Sequence, residues 1–211
     1  MITVKSIQTG VVKENCYIVL SSNNDCIIID PGSNSKQIID SVETFQLAPH
    51  AILNTHGHFD HIGAVADIKK HFNIPFFIHS QEERTVKSAN LYMKIFQVDS
   101  IIEIPEIDVF VDNTKSPLTF GDLLVYIIPT PGHSKGSVSF LINDYLFTGD
   151  TLFKGAIGRI DLPGGSKEHL NESLRKIAKL PPHLLICAGH GESSTIEKEL
   201  NNNQKFGSLS L

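Results

Sequence analysis

Residues 55–61 read Thr-His-Gly-His-Phe-Asp-His. The apolar run 51–54 just before them predicts a strand, and apolar residues at helical spacing just after them predict a helix. A tight loop between a strand and a helix can direct several side chains into one space. Imidazole nitrogens and carboxylate oxygens are preferred ligands of zinc and similar metals. Four such residues within six positions exceed the needs of one ion, so the stretch indicates a site that could hold two cations.

Three later loops repeat this pattern more sparsely. In each of them a histidine or an aspartate stands beside a glycine, just beyond the end of a predicted strand. Glycine permits the turn and lets the backbone approach a ligand closely. Loops gathered at one edge of a sheet are a common place for function. The three loops are Pro-Thr-Pro-Gly-His-Ser at 129–134, Phe-Thr-Gly-Asp-Thr at 147–151 and Ala-Gly-His-Gly at 188–191.

The order of predicted elements runs twice through strand, strand, strand, helix, strand, helix. Such a chain could place two mixed sheets face to face with helices outside, as a four-layer αββα sandwich. No shift in composition and no linker divides the chain, so we predict a single domain over residues 1–211. The predicted strands are 2–7, 15–20, 26–30, 51–54, 74–79, 123–128, 137–142, 145–148 and 184–187, and the predicted helices are 38–45, 62–72, 80–96, 166–180 and 194–202.

The composition narrows the class of protein. The chain has 211 residues, 41% of them hydrophobic, and a formal net charge of −5, which disfavours a nucleic acid as partner. The amino-terminal stretch carries no apolar run long enough for a signal peptide or a membrane span. The three cysteines are widely spaced and imply no disulfide framework. We therefore expect a reduced, cytoplasmic protein with no membrane partner.

The order of these motifs resembles that of the metallo-β-lactamase-fold hydrolases along nearly the whole chain. That family carries a His-x-His-x-Asp-His signature followed by a lone histidine, a lone aspartate and a last histidine. The stretch Gly-Arg-Ile-Asp-Leu-Pro-Gly-Gly at 158–165 resembles a loop found in small, single-domain relatives of glyoxalase II, a hydroxyacylglutathione hydrolase. The resemblance implies the αββα fold and a metal-dependent hydrolase.

The resemblance also implies a role for each motif residue. It implies two divalent ions, zinc foremost, with iron or manganese as alternatives. Asp150 would bridge the two ions. Asp30, in an Asp-Pro-Gly turn, is either a supporting residue near the site or a simple turn residue. One ion would be held by His56, His58 and His133, and the other by Asp60, His61 and His190.

Two adjacent cations can lower the pKa of a shared water far below its value in bulk water, toward about 7. The resemblance to glyoxalase II implies that the resulting metal-bridging hydroxide hydrolyses a thioester, and that Asp60 corresponds to the catalytic carboxylate that orients it. A thiolate leaves without a strong general acid, because the pKa of its conjugate acid is only about 8.5. The expected partner is a small-molecule thioester, such as an acyl-glutathione or a similar acyl-thiol.

Recognition of the thiol is less well specified. Full-length glyoxalase II has a C-terminal helical domain that supplies basic residues to glutathione, whereas only residues 191–211 follow the last predicted ligand here. Candidate substrate-binding residues are Lys154 and Arg159. Further candidates on the predicted helix 80–96 are Arg84, Lys87, Tyr92 and Lys94.

The alternative function is that of a mononuclear iron persulfide dioxygenase, which shares this fold. His56, His133 and Asp150 could form its two-histidine, one-carboxylate iron site. A β-lactamase is disfavoured, because the commonest ones carry cysteine where Asp150 stands. The apolar segment 98–110 is interpreted as ordinary core strands, with a cover over the site or a homodimer contact as its other uses.

Overall fold

The first half of the chain builds one mixed sheet. In this computed structural model, which describes residues 2–209, the sheet has six strands that are neighbours in sequence order. The first three pair antiparallel, and the third to sixth pair parallel. The strands are β1 (Ile2–Thr9), β2 (Glu14–Ser21), β3 (Asp25–Ile29), β4 (Ala48–Leu53), β5 (Phe76–Ile78) and β6 (Val109–Phe110).

The second half of the described chain builds another mixed sheet of six strands and a small two-stranded ribbon. The strands of this half are β7 (Leu118–Phe120), β8 (Leu123–Pro129), β9 (Val138–Ile142), β10 (Tyr145–Gly149), β11 (Leu152–Phe153), β12 (Ala156–Ile157), β13 (Leu185–Ala188) and β14 (Ser194–Thr195). Within the described residues the order across this sheet is β14-β13-β10-β9-β8-β7, and β11 pairs with β12 in a separate ribbon. Strands β10 and β13 are parallel, so both end at the same edge.

The helices are α1 (Ser35–Thr44), α2 (Phe59–Ile62), α3 (Val65–Phe72), α4 (Glu83–Lys87), α5 (Ala89–Ile95), α6 (Lys167–Ala178), α7 (Ile196–Asn202) and α8 (Gln204–Gly207). Single 3₁₀ turns occupy Ser80–Glu82 and Val111–Asn113. The longest helix, α6, has 12 residues, whereas a membrane-spanning helix needs about 20. No helix in residues 2–209 is long and apolar enough to cross a membrane.

Three apolar layers hold the sheets and helices together. The middle layer lies between the sheets and joins residues of both, such as Tyr17 and Ile29 with Phe140 and Phe147. One outer layer packs α1 and α3 on the first sheet. The other packs α6, α7 and α8 on the second sheet. The structure thus confirms the predicted αββα sandwich.

One predicted helix is broken into shorter elements. The helix predicted over 80–96 is a 3₁₀ turn followed by α4 and α5, which meet at Ser88. At the start of this turn the backbone N–H and the hydroxyl of Ser80 both donate to Asp112, at 2.8 and 2.7 Å. The cap is His79, whose Nδ1 accepts from the backbone N–H of Gln81.

The apolar segment 98–110 is only partly as predicted. Within it the strand is confined to Val109–Phe110. Ile102, Ile104 and Ile107 still pack on the outer layer of the first sheet, but from an irregular backbone. Ile101 is 85% exposed. The segment therefore has a core role without forming core strands.

Candidate metal centre

All seven predicted ligands meet at one edge of the two sheets. His56 and His58 lie in the loop between β4 and α2, and α2 itself carries Asp60 and His61. The other three each follow a strand of the second sheet: His133 follows β8, Asp150 follows β10 and His190 follows β13. The seven side chains form three overlapping sets, and within each set the ligand atoms lie within 4.8 Å of one another. The sets are His56, His58 and His133; His56, His61 and Asp150; and Asp60, His61 and His190.

The first group consists of three imidazoles. His133 Nε2 lies 2.9 Å from His58 Nδ1. The ring centroid of His56 lies 4.7 Å from that of His58 and 4.9 Å from that of His133. The backbone oxygen of Arg159 lies 2.9 Å from His133 Nδ1 and can accept a hydrogen bond from it, which leaves Nε2 directed at the centre. Three imidazole nitrogens that converge in this way suit a zinc-like ion.

The second group consists of Asp60, His61 and His190, and Asp150 lies between it and the first group. His190 Nε2 is 3.3 Å from Asp60 Oδ2. Asp150 Oδ1 is 3.4 Å from His61 Nε2 and 3.7 Å from His190 Nε2, while Asp150 Oδ2 is 3.6 Å from His133 Nε2. The two oxygens of Asp150 therefore face different groups, which is the geometry that a bridging carboxylate requires.

The charges of the centre are divided between its two groups. Burial lowers the pKa of His56 well below its ordinary value, and the nearby His61 and His58 lower it further. Burial and His133 lower the pKa of His58 to about 4. Both rings are therefore neutral at pH 7, with a nitrogen lone pair free to bind a metal.

The second group attracts positive charge. Burial raises the pKa of Asp150, but the neighbouring His61 outweighs this effect and holds the pKa well below its ordinary value. Burial lowers the pKa of His61, yet Asp150 and Asp60 raise it well above its ordinary value overall. Carboxylates that retain a proton on a fully buried imidazole would also stabilise a cation in its place.

Unpartnered buried atoms show that the residues fit metal ions. Among residues 2–209, His56 Nε2, His61 Nε2 and Asp150 Oδ1 are buried and have no hydrogen-bond partner. Such an atom ordinarily costs about 1–3 kcal/mol. All three lie in the ligand sets described above, where a metal ion would satisfy them.

Asp30 supports the metal centre through its contacts with Thr55 and His61. It is 2% exposed. Its Oδ1 accepts from the backbone N–H of Thr55 at 2.7 Å, and its Oδ2 accepts from the Thr55 hydroxyl at 2.6 Å. The same Oδ2 lies 3.2 Å from His61 Nδ1. Asp30 is therefore more than a turn residue, because it can hold the proton on Nδ1 and leave Nε2 of His61 for the metal.

Other supporting residues were missed by the sequence analysis. Asn54 Nδ2 donates to the backbone oxygen of His61 at 2.7 Å. Asn15 Nδ2 donates to the backbone oxygens of Ala188 and Gly191, on either side of the last ligand. Glu82 accepts three hydrogen bonds from the ligand loops. None of these residues stands in a motif, and only the folded chain brings them to the site.

Gly189 gives the ligands the room they need. A Cβ at this position would lie 2.4 Å from Asp150 Oδ1 and 2.6 Å from His61 Cε1. We therefore expect Gly189→Ala to weaken metal binding by about 10-fold or more, and to destabilise the fold by about 1–3 kcal/mol. Metal titration and thermal unfolding would measure these effects. Gly191→Ala is the matched control, because a Cβ there meets nothing within 4 Å and adds only backbone strain at φ +79°. Equal metal affinity in the two variants would contradict this explanation.

The centre opens into a cavity of about 620 Å³, a size typical of small-molecule sites. Asp60, His58, His133, Asp150 and His190 line its floor. The rest of the lining forms its wall, which is mostly apolar and consists of Val11, Val12, Phe59, Phe96, Val98 and Leu162 with Tyr92, Gln97, Asp99 and Arg159. Val11, at the tip of the β1–β2 hairpin, is 84% exposed.

The two substrate-binding candidates differ in position. Arg159 lines the cavity, and its guanidinium pairs with both oxygens of Asp161, at 2.8 and 2.7 Å. Lys154 does not line the cavity and pairs with Glu192 on the exposed surface. Among the four further candidates, Tyr92 lines the cavity and the three basic residues do not.

Comparison with known proteins agrees with this geometry. The sequence profile described as "Metallo-beta-lactamase superfamily" matches residues 9–190, which include all seven ligands. The chain belongs to the metallo-β-lactamase superfamily. Its curated relatives include a Bacillus subtilis protein named "Probable metallo-hydrolase YqgX", which is 34% identical over 96% of each chain. A Haemophilus influenzae protein named "Hydroxyacylglutathione hydrolase GloC" is 31% identical over 94% of this chain and 95% of its own.

Solved structures also match this chain over nearly its whole length. The crystal structure of BLEG-1 B3 metallo-beta-lactamase matches with a TM-score of 0.91 and 36% identity, over 97% of this chain and 99% of that one. TTHA1623 in a di-iron-bound form matches with a TM-score of 0.85 and 32% identity, over 95% and 99%. ETHE1 from Myxococcus xanthus matches with a TM-score of 0.79 over 98% and 85%, but at 21% identity it shows the fold alone.

Proposed function

We propose that this metallo-hydrolase is a thioesterase that cleaves an acyl-glutathione or a similar small acyl-thiol. The observation that carries the proposal is the complete double set of predicted ligands, with Asp150 between its two groups and five of the seven lining the cavity. When bound, two divalent ions would activate a water molecule and polarise the carbonyl oxygen of the substrate. The relative named hydroxyacylglutathione hydrolase supports the same reaction class.

The protein's own residues divide the remaining work. His56, His58 and His133 would hold one ion, and Asp60, His61 and His190 the other. Asp60 also lines the cavity. Burial raises its pKa, but His61 and the hydrogen bond from His190 lower it overall, so Asp60 is ionised at neutral pH. It can therefore orient an attacking water by accepting a hydrogen bond from it.

The leaving group needs little assistance. A thiolate departs unprotonated, because the pKa of its thiol is only about 8.5. The floor of the cavity supplies carboxylates and metal-directed imidazoles, and a free proton donor is not required. An ester or amide substrate would require protonation of its leaving group and would react more slowly at this site.

The cavity wall bears on the choice of thiol. Apolar side chains form most of that wall, and Arg159 is the one Lys or Arg residue on it in the described part of the chain. Glutathione carries two carboxylates, and Arg159 already pairs with Asp161. The wall thus offers an apolar surface to the acyl group and few cations to the thiol carrier.

We predict that the enzyme tolerates loss of the glutathione carboxylates. The test compares kcat/KM for S-lactoylglutathione and for the same lactoyl group on N-acetylcysteamine, each with and without chelator. The two values should lie within about 10-fold, which corresponds to about 1.4 kcal/mol, and chelator should abolish both activities. A preference for glutathione above 100-fold would show that a cationic thiol site exists. Failure to cleave either thioester would overturn the proposed function itself.

A mononuclear iron persulfide dioxygenase remains the alternative proposal. Its iron would need His56, His133 and Asp150, and these three side chains do lie together. The second group then has no role in the reaction, although it is complete. One iron per chain, with oxygen consumption on glutathione persulfide, would favour this alternative over the thioesterase.

β-Lactam hydrolysis is a further candidate. The B3 metallo-beta-lactamase BLEG-1 is 36% identical over 97% of this chain. A chromogenic cephalosporin therefore belongs in the same assay. We expect it to be cleaved more slowly than the thioesters, because its departing amide nitrogen must be protonated.

A further inference from the structure

Glu82 is a buried carboxylate that has no part in the reaction described above. It ends the 3₁₀ turn before α4 and is 0% exposed. Its Oε2 accepts from the backbone N–H of Gly57 at 2.9 Å. Its Oε1 accepts from the Ser134 hydroxyl and from the backbone N–H of Gly136, each at 2.7 Å. No Lys, Arg or His among residues 2–209 forms an ion pair with it.

These hydrogen bonds join two loops that come from different sheets. Gly57 stands between His56 and His58, in the loop that follows β4 of the first sheet. Ser134 is the neighbour of His133, in the loop between β8 and β9 of the second sheet. One carboxylate therefore connects the two loops that supply His56, His58 and His133, which we call the three-histidine group.

The loops are packed closely around this carboxylate. A Cβ placed on Gly57 would lie 3.2 Å from Glu82 Oε2, and one placed on Gly136 would lie 2.9 Å from Glu82 Cγ. The glycines thus let both backbones approach the carboxylate, which fixes the distance between the loops.

The second group of ligands is held by other residues. His61 is bound through its backbone oxygen by Asn54 and through Nδ1 by Asp30. The loop of His190 is held by Asn15. Within the described residues, Glu82 makes no contact of this kind with Asp60, His61 or His190.

We propose that Glu82 is a positioning residue that sets the metal affinity of the three-histidine group independently of the other group. The proposal rests on the two-metal centre of the proposed function. Outer residues that orient metal ligands typically change metal affinity by 10- to 100-fold when they are replaced. Here the orientation acts through the backbone of the two loops.

The chemistry of the contact explains why a carboxylate is needed. All three partners act as donors, and two carboxylate oxygens can accept all three hydrogen bonds. A glutamine of the same shape has one oxygen and one NH₂ group. If its oxygen faces Ser134 and Gly136, its NH₂ faces the N–H of Gly57. In the opposite orientation its NH₂ faces the N–H of Gly136. One loop is therefore released in either case.

The test is a zinc titration of Glu82→Gln in competition with a chromogenic chelator, which reports two dissociation constants without any activity measurement. We expect one constant to rise by about 10-fold and the other to change by less than 2-fold. The affected ion is identified with His133→Ala, which removes a ligand of the three-histidine group. Adding Glu82→Gln to that variant should leave the affinity of its remaining ion unchanged.

Glu199→Gln is the matched control. Glu199 is also a buried carboxylate, and it accepts from the hydroxyl of Ser194, the backbone N–H of Gly155 and the side chain of Asn203, away from the metal centre. We expect both Glu199→Gln and Glu82→Gln to lower thermal stability, but Glu199→Gln should leave both zinc dissociation constants unchanged. Ser134→Ala removes one hydrogen-bond donor and keeps the carboxylate, so it should weaken zinc binding at the three-histidine group by a smaller factor than Glu82→Gln. This second variant also tests the proposal if Glu82→Gln fails to fold.

Three results would overturn the proposal while the two-metal centre stands: equal weakening of both ions, no weakening of either, or the same zinc effect in Glu199→Gln. A wild-type protein that binds no zinc would instead overturn the proposed function.

Discussion

Replacing Asp150 with asparagine is expected to lower kcat/KM for thioester hydrolysis by about 10³-fold or more. The loss of activity should be this large because Asp150 would be a ligand of both ions, whereas a residue that only supports a ligand through one hydrogen bond has a smaller effect. One oxygen of Asp150 faces His61 and His190, and the other faces His133. An amide keeps the shape but removes the negative charge and offers only one oxygen as a ligand. Both ions should therefore bind more weakly, and metal titration should show this alongside the kinetics.

A second aspartate at the other end of β10 provides the control for Asp150. Asp144 lies just before this strand, is mostly exposed, and is 3.5 Å from His183. Asp144→Asn should leave both kcat/KM and metal content within about 2-fold of wild type, because exposed ion pairs contribute only about 0–1 kcal/mol. If Asp150→Asn retained two ions and activity within 10-fold, Asp150 would not be the bridging ligand.

Replacing Asp30 with asparagine is expected to weaken metal binding by about 10- to 100-fold. The NH₂ of the new side chain would face His61 Nδ1, where Asp30 Oδ2 now lies 3.2 Å away. His61 would then place its proton on Nε2, the nitrogen that is directed at Asp150. A protonated Nε2 cannot bind a metal. The loss should fall on the ion of Asp60, His61 and His190, which separates this effect from that of Glu82→Gln.

The control for Asp30, which directly follows β3, is Asp25 at the start of that strand. Asp25 begins β3 and pairs with His50 at 2.7 Å, away from the metal centre. Asp25→Asn should leave both zinc dissociation constants unchanged in the same titration. Unchanged constants in Asp30→Asn as well would mean that Asp30 does not control the tautomer of His61.

Much of the fold could be predicted because its strands are short apolar runs bounded by turn residues. The run Cys26 to Ile29 and the run Leu123 to Ile128 are examples, and both form strands close to the predicted bounds. Prediction failed where packing overrides local pattern. Residues 80–96 have helical periodicity, but the first three form a 3₁₀ turn whose Glu82 contacts the ligand loops, and the helix is interrupted again at Ser88.

The candidate site divides in the same way. The convergence of the seven predicted ligands could be foreseen because the loops carry them in the spacing of a known superfamily, and the structure brings these side chains together. Glu82 could not, because its three donors lie 25, 52 and 54 positions away along the chain. Arg159 and Lys154 look equivalent in the sequence. The fold places only Arg159 on the cavity, and their roles in substrate binding stay predictions.

The most direct test of the two-metal centre is the number of metal ions that the purified chain binds tightly, measured by elemental analysis before and after dialysis against chelator. We predict two divalent ions per chain, both removed by the chelator, with thioester hydrolysis lost and then restored as the second ion is returned. A folded chain that binds no metal, or one whose full hydrolytic activity persists after metal removal, would contradict the account.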